Sequence, residues 1–193
     1  MIKKALFAAL FLTATVFGVS AQKIQGDISP LKGQKEVNIV LDFKGTLVNG
    51  KAESKYIAEE TKDKKEDEKT QWLSEWNEKL RADALSMVIR DINNETGKKL
   101  FSVGEFKNAE YTIIVNVKEI TTGYFAGVFA RPSAVNAEIH IVKTGTTTPI
   151  ATIELKKCSS SISSTIPYFV TRIAMSFGEL GEDFGELMCK KLK

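Results

Sequence analysis

The sequence is poor in the residues that most catalytic and metal sites need. It has one histidine, His140, and two cysteines, Cys158 and Cys189, in 193 residues. Zinc sites built on two histidines are therefore excluded, and no CxxC motif replaces them. A Ser–His–Asp triad would have to use His140, yet no Gly-x-Ser-x-Gly elbow is present. His140 lies two positions from Glu138 on a strand pattern, which reads as a surface pair rather than a general base. Neither a Walker A sequence nor Gly-x-Gly-x-x-Gly occurs, and Thr144 to Thr146 is too short to cradle a phosphate. Charge of one sign is also scarce. The formal charge is +3, and two of those charges are Lys3 and Lys4 near the start. Such a chain has no global field to draw in nucleic acid, and it lacks the aromatic and basic interleaving of a single-strand binder. The expectation is a non-enzymatic protein with no cofactor and no bound metal.

What is present begins with a leader. Lys3 and Lys4 precede the uncharged, largely apolar stretch Ala5 to Val19, and Val19, Ser20 and Ala21 fit a small-x-small cleavage site. This is a secretory signal peptide, 1–21, cleaved before Gln22. Its apolar run is about 15 residues, short of the roughly 20 needed to span a bilayer, and no cysteine adjoins the cleavage point to take a lipid. No later segment is apolar enough to span. The protein is expected to be exported, periplasmic or secreted, with no membrane span after cleavage. In an oxidising compartment a Cys158–Cys189 disulfide is permitted, and two free thiols are the equal alternative.

Beyond the leader, 22–35 holds Gly26, Pro30 and Gly33 among polar residues and reads as an irregular lead-in. A single domain then runs over 36–193. Its centre is Ala109 to Ile120, where Ile113, Val115 and Val117 alternate with Asn116 and Lys118, the period of a half-buried strand. Glu36 to Phe43 alternates similarly. Val135 to Lys143 and Ile150 to Lys157, joined by a Gly-containing turn, read as a hairpin. Leu100 to Val103 is a candidate short strand. Trp72, Trp76, Leu80, Ala84 and Val88 predict a helix over Thr70 to Asn93. A second helix follows over Pro167 to Lys191, with an apolar stripe from Val170 to Leu187. Beside it runs a line of small residues, Ala174, Gly178, Gly181 and Gly185. That line implies either close approach to a sheet or helix, or a break near Gly178. The mixed-charge run Glu59 to Lys69 reads as a solvated loop or helical turn. The fold class is α/β of the α+β type: a mainly antiparallel sheet of four to five strands packed by two long helices.

Three groups could bind something. Thr121 to Pro132 contains Tyr124, Phe125, Val128 and Phe129, where loops are usually polar. It could form an exposed tip that meets a partner or a membrane surface, but burial, as a strand extension or as a loop folded back on the core, is the expectation. Trp72 and Trp76 form an i, i+4 aromatic pair that is either core or a stacking platform for a glycan or peptide. Asp42, at the C-terminal end of the first strand, is placed as a ligand residue would be in an α/β sheet.

The block Ala109, Glu110, Tyr111 with its Ile-x-Val-x-Val-x-Glu continuation, followed by a hairpin turning at Thr144 and Gly145, carries a family resemblance. It resembles uncharacterised exported envelope α/β proteins, and loosely the periplasmic domain of the curli-secretion channel and the N-terminal domain of TolB. The resemblance implies protein–protein assembly at the cell envelope, with an envelope protein or a second copy as partner. The expected function is an interaction or assembly module, with a small-ligand binding module as the alternative and a hydrolase third.

Overall fold

The structure is a computed structural model that describes residues 23–192 except Lys98 and Val128. The leader and its cleavage site lie outside the described residues. Its strands in chain order are β1 (Ile24–Gly26), β2 (Glu36–Asp42), β3 (Leu47–Val48), β4 (Lys51–Ala52), β5 (Ser102–Gly104), β6 (Tyr111–Thr121), β7 (Tyr124–Ala126), β8 (Phe129–Arg131), β9 (Ala134–Lys143) and β10 (Pro149–Cys158). The helices are α1 (Glu53–Thr61), α2 (Glu66–Ser74), which runs through a π turn at Glu75–Lys79 into α3 (Leu80–Thr96), and α4 (Phe169–Lys191).

The main sheet has eight strands rather than four or five, and it is mixed rather than mainly antiparallel. Its order is β1-β10-β9-β6-β2-β5, with β3 and β4 attached beside β6. β6, β9, β10 and β1 are antiparallel, but β2 runs parallel to both β6 and β5. The helical segment between β2 and β6 is the reason, because a parallel pair needs a long crossover connection. The extra strands are two or three residues long, too short to show a period. One of them, β1, falls in the lead-in expected to be irregular, and closes the β10 edge. There Gly26 is obligatory: its φ is +93°, and a Cβ would sit 2.2 Å from the Ile150 carbonyl oxygen.

Alternation decides which face of the sheet is covered. Val37 and Ile39 on β2, Ile113, Val115 and Val117 on β6, and Ile139 and Ile141 on β9 are buried beneath α3 and α4. The intervening residues Asn38, Asn116, Glu138 and His140 are only half-buried, on the opposite face. This is the two-layer arrangement that one greasy stripe per helix requires.

The small-residue line of α4 faces α3, and the helix is unbroken through it. A Cβ on Gly181 would lie 2.7 Å from the Val88 carbonyl oxygen, and one on Gly185 would lie 2.7 Å from Cβ of Glu95. The glycines let two helices touch backbone to backbone at Gly181 and backbone to side chain at Gly185, while α4 keeps Val170, Ile173, Phe177 and Phe184 buried toward the sheet. Pro167 precedes the first helical residue by two positions instead of sitting in the first turn.

The two cysteines are unbridged. Cys158 ends β10 and is buried beside Asp183 of α4, while Cys189 Sγ donates to the Glu95 carbonyl oxygen of α3 at 3.3 Å. Six residues separate Asp183 from Cys189, which at 3.6 per turn puts the two thiols on different sides of one helix. Burial, followed by the neighbouring Asp183, pushes the Cys158 thiol well above its usual range. Native-state alkylation should therefore label Cys189 within minutes and Cys158 only on unfolding, with equal electrophoretic mobility with and without reductant. A mobility difference would establish a bridge.

Candidate interaction surface

Beyond Thr121 the chain leaves the main sheet and forms an independent two-stranded hairpin, β7 paired antiparallel with β8. Gly127 begins its turn at φ +64°, a conformation that suits glycine. The expected burial of this segment is not what the structure has: its rings are exposed, because the hairpin stands off the main sheet. Phe129 is 71% exposed, Tyr124 45% and Phe125 40%. Val128 lies outside the described residues. Beside the hairpin, the short turn Ser161–Thr165 packs against both its strands and exposes Ile162 by 59%.

The hairpin is held at its root by a polar network that is buried at Thr122, Ser133, Ser163 and Arg172 and reaches the surface at Asn49. Asn49 grips Thr122 twice: its Oδ1 accepts the Thr122 N–H and its Nδ2 donates to the Thr122 hydroxyl, both at 3.0 Å. Gly123 adopts φ +61°, where a Cβ would meet the Arg131 carbonyl oxygen at 2.5 Å, so the strands close tightly here. On the other strand, the Ser133 hydroxyl donates to the Arg172 carbonyl oxygen at 2.6 Å and also lies 2.6 Å from the Ser176 hydroxyl. The Ser163 hydroxyl accepts the Ser133 N–H, and the Ser159 hydroxyl donates to its carbonyl.

Arg172 ties these parts together. It is buried, and among the described residues no carboxylate contacts it. Its guanidinium donates to three carbonyl oxygens: Thr122 at 3.1 Å, Ile166 at 2.8 Å and Pro167 at 2.9 Å. Burial lowers its proton affinity, but an arginine stays charged in any case, and three carbonyl dipoles substitute for water. Tyr56 of α1 stands nearby, its phenol pushed up to about 12, chiefly by burial. An exposed apolar tip thus stands on a rigid base. Sequence reasoning missed Arg172, although a signal existed: it is the only charge between Lys157 and Glu179.

The other sequence candidates are placed apart from this surface. Trp72 and Trp76 are both buried, stacked on each other at 5.4 Å and 4°, with Phe169 stacked against Trp72 at 5.7 Å. Their rings belong to the core, and only an edge of Trp72 reaches a shallow surface hollow beside Lys64, Glu68 and Gln71. Trp76 Nε1 donates to Glu53 at 2.8 Å, and the same carboxylate oxygen holds Arg81 at 2.8 Å. Asp42 is exposed and accepts the Lys44 N–H at 2.8 Å, closing the turn after β2. It borders a groove along α3 but is not joined to the tryptophans. His140 Nε2 lies 2.9 Å from Glu138. The Glu138 carboxyl is held below its usual range mainly by Lys118, which reaches it at 3.1 Å.

No protein-family model matches the sequence, and no curated protein matches it. Two solved structures are similar in outline. One is a PelC dodecamer from Paraburkholderia phytofirmans, at 10% identity and a TM-score of 0.41, over 83% of this chain and 96% of that one. The other is a leucine-to-methionine variant of the PelC dodecamer from the same organism, at 12% identity and a TM-score of 0.39, over 82% and 97%. Among the described residues no helix is long and apolar enough to cross a membrane.

Proposed function

We propose that this chain is an exported, non-enzymatic protein of the cell envelope that acts as an interaction or assembly module, with the β7–β8 hairpin as its contact surface. The resemblance to the curli-secretion channel and TolB domains belongs to the same proposal. The observation that carries it is a mismatch: Tyr124, Phe125 and Phe129 leave apolar surface in water while their root is fixed by buried hydrogen bonds. Loose loops expose rings at little cost. A braced hairpin that does so is built to place them against something else.

The test is a variant with Tyr124, Phe125, Val128 and Phe129 all changed to serine. The three described rings lie outside the core, so its thermal midpoint should stay within a few degrees of wild type. Used as bait on envelope extract, it should lose the partner bands that the wild-type protein retains, or lose self-association in sedimentation. If both properties match wild type, the hairpin is not a contact surface.

A further inference from the structure

Two uncovered apolar surfaces of opposite shape occur in this one chain. The convex one is the hairpin. Its register pairs Tyr124 with Arg131 and Ala126 with Phe129, so Tyr124, Phe129 and Arg131 share one face and Phe125 projects from the other. A flat partner covers only one face of such a ribbon. Three rings, each carrying about 150–250 Å² and roughly half exposed, offer on the order of 300 Å². A stable interface takes about 800 Å² per partner. The tip therefore needs a seat that encloses both faces and adds a rim.

The concave surface supplies one. A groove of about 630 Å³ runs along α3 and continues past Ala82 and Leu85 into a second stretch of about 470 Å³. Each stretch is an open trough whose volume lies in the ~300–1,000 Å³ range of ligand-sized clefts. Its apolar lining is Val40, Leu41, Phe43, Ala82, Leu85 and Ile89. It exists because β5 is short. β5 pairs only with Glu36 to Asn38, and its outer edge is closed by Asn93, whose side-chain amide bonds both the N–H and the carbonyl of Val103. From Ile39 onward β2 has no strand beside it on that side among the described residues, and Val40 is 46% exposed.

Charge agrees with shape. The two arginines on the groove are already matched, Arg81 by Glu53 and Arg90 by Asp91. That leaves Asp42 and Glu105, with Lys44 at the mouth. Arg131 is the only charge from Thr121 to Ser133.

We propose that the hairpin of one copy seats in the α3 groove of a second copy, with Arg131 meeting the groove carboxylates. This rests on the hairpin being the contact surface. Such a contact is head-to-tail, so it propagates or closes into a ring. The test uses two exposed positions, Phe129→Ser on the tip and Ala82→Arg in the middle of the groove, with circular dichroism to confirm that both variants fold. In sedimentation velocity on the purified protein, wild type should form species larger than a dimer. Each variant should weaken association by about 30-fold, the size of a hot-spot loss. A mixture of the two should give a dimer and stop there, because the tip of Ala82→Arg still fits the groove of Phe129→Ser. If Phe129→Ser dissociates while Ala82→Arg associates as wild type does, the seat is wrong and the hairpin reading stands. Wild type that is monomeric but recovers envelope partners has the same meaning. Hairpin-dependent flotation with anionic lipid vesicles, unchanged in Ala82→Arg, would overturn the seat in favour of a lipid surface. If neither variant alters association, partner recovery or flotation, both readings fall.

Discussion

Trp76→Ala is expected to lower the unfolding free energy by about 3–5 kcal/mol, the range for a fully buried aromatic truncated to alanine. Trp76 is 1% exposed and is the largest of the fully buried side chains. Its removal takes away one member of the Trp72 stack and the ring that Tyr56 meets at 5.1 Å. It also leaves Glu53 with Arg81 alone. The hole opens in the π turn between α2 and α3, where backbone relaxation is limited by Trp72 on one side and Leu80 on the other. For a domain of this size the thermal midpoint should fall by roughly 10–15 °C. Trp76→Phe keeps one ring but loses the packing of the second as well as the hydrogen bond to Glu53, so its cost should be intermediate, about 2 kcal/mol. A differential scan of the two variants checks both values. An alanine variant within 1 kcal/mol of wild type would mean that the indole cluster is not part of the core.

The second large effect belongs to Arg172→Ala, and it should be local as well as global. Three carbonyl oxygens lose their donor at once. A buried acceptor left unmatched costs about 1–3 kcal/mol, and partial hydration of the vacated space keeps the total near 3 kcal/mol. Arg172→Lys should recover less than half, because one ammonium lacks the planar spread of donors that spans all three carbonyls. The distinguishing readout is hydrogen exchange. Amides of Gly123 to Ser133 should exchange at least tenfold faster relative to those of β6 and β9 than in wild type. Uniform acceleration across the chain would mean that Arg172 supports the core generally and does not order the hairpin.

The elements that sequence reading located are those with a long, regular burial pattern. β6, β9 and β10 were legible because ten or eleven residues of alternation leave little choice, and α4 because its apolar stripe runs for about five turns. The sheet's composition was not legible. Parallel pairing of β2 with β6 depends on the direction the chain takes after α3, and strands of two or three residues carry no period to read. The tip residues stand out in the sequence as candidates, but their exposure depends on Asn49, Ser133 and Arg172. These come from distant parts of the chain, and their convergence is a tertiary fact. The tryptophans illustrate the reverse case. An i, i+4 aromatic pair looks the same in sequence whether its neighbours are solvent or, as here, Tyr56 and Phe169.

The seam between β2 and β6 bears on the order of events during folding. Asn38 and Thr112, bonded across it at 3.2 Å, stand 74 residues apart, whereas β9 and β10 close over a turn of a few residues. Closing the longer loop carries the larger entropy penalty, so the meander from β6 to β10 should nucleate while β2 waits for it. If such a chain crosses a membrane starting from its N-terminus, β2 arrives before either of its partners, β5 and β6. It stays extended and threadable until the last third emerges to complete the sheet.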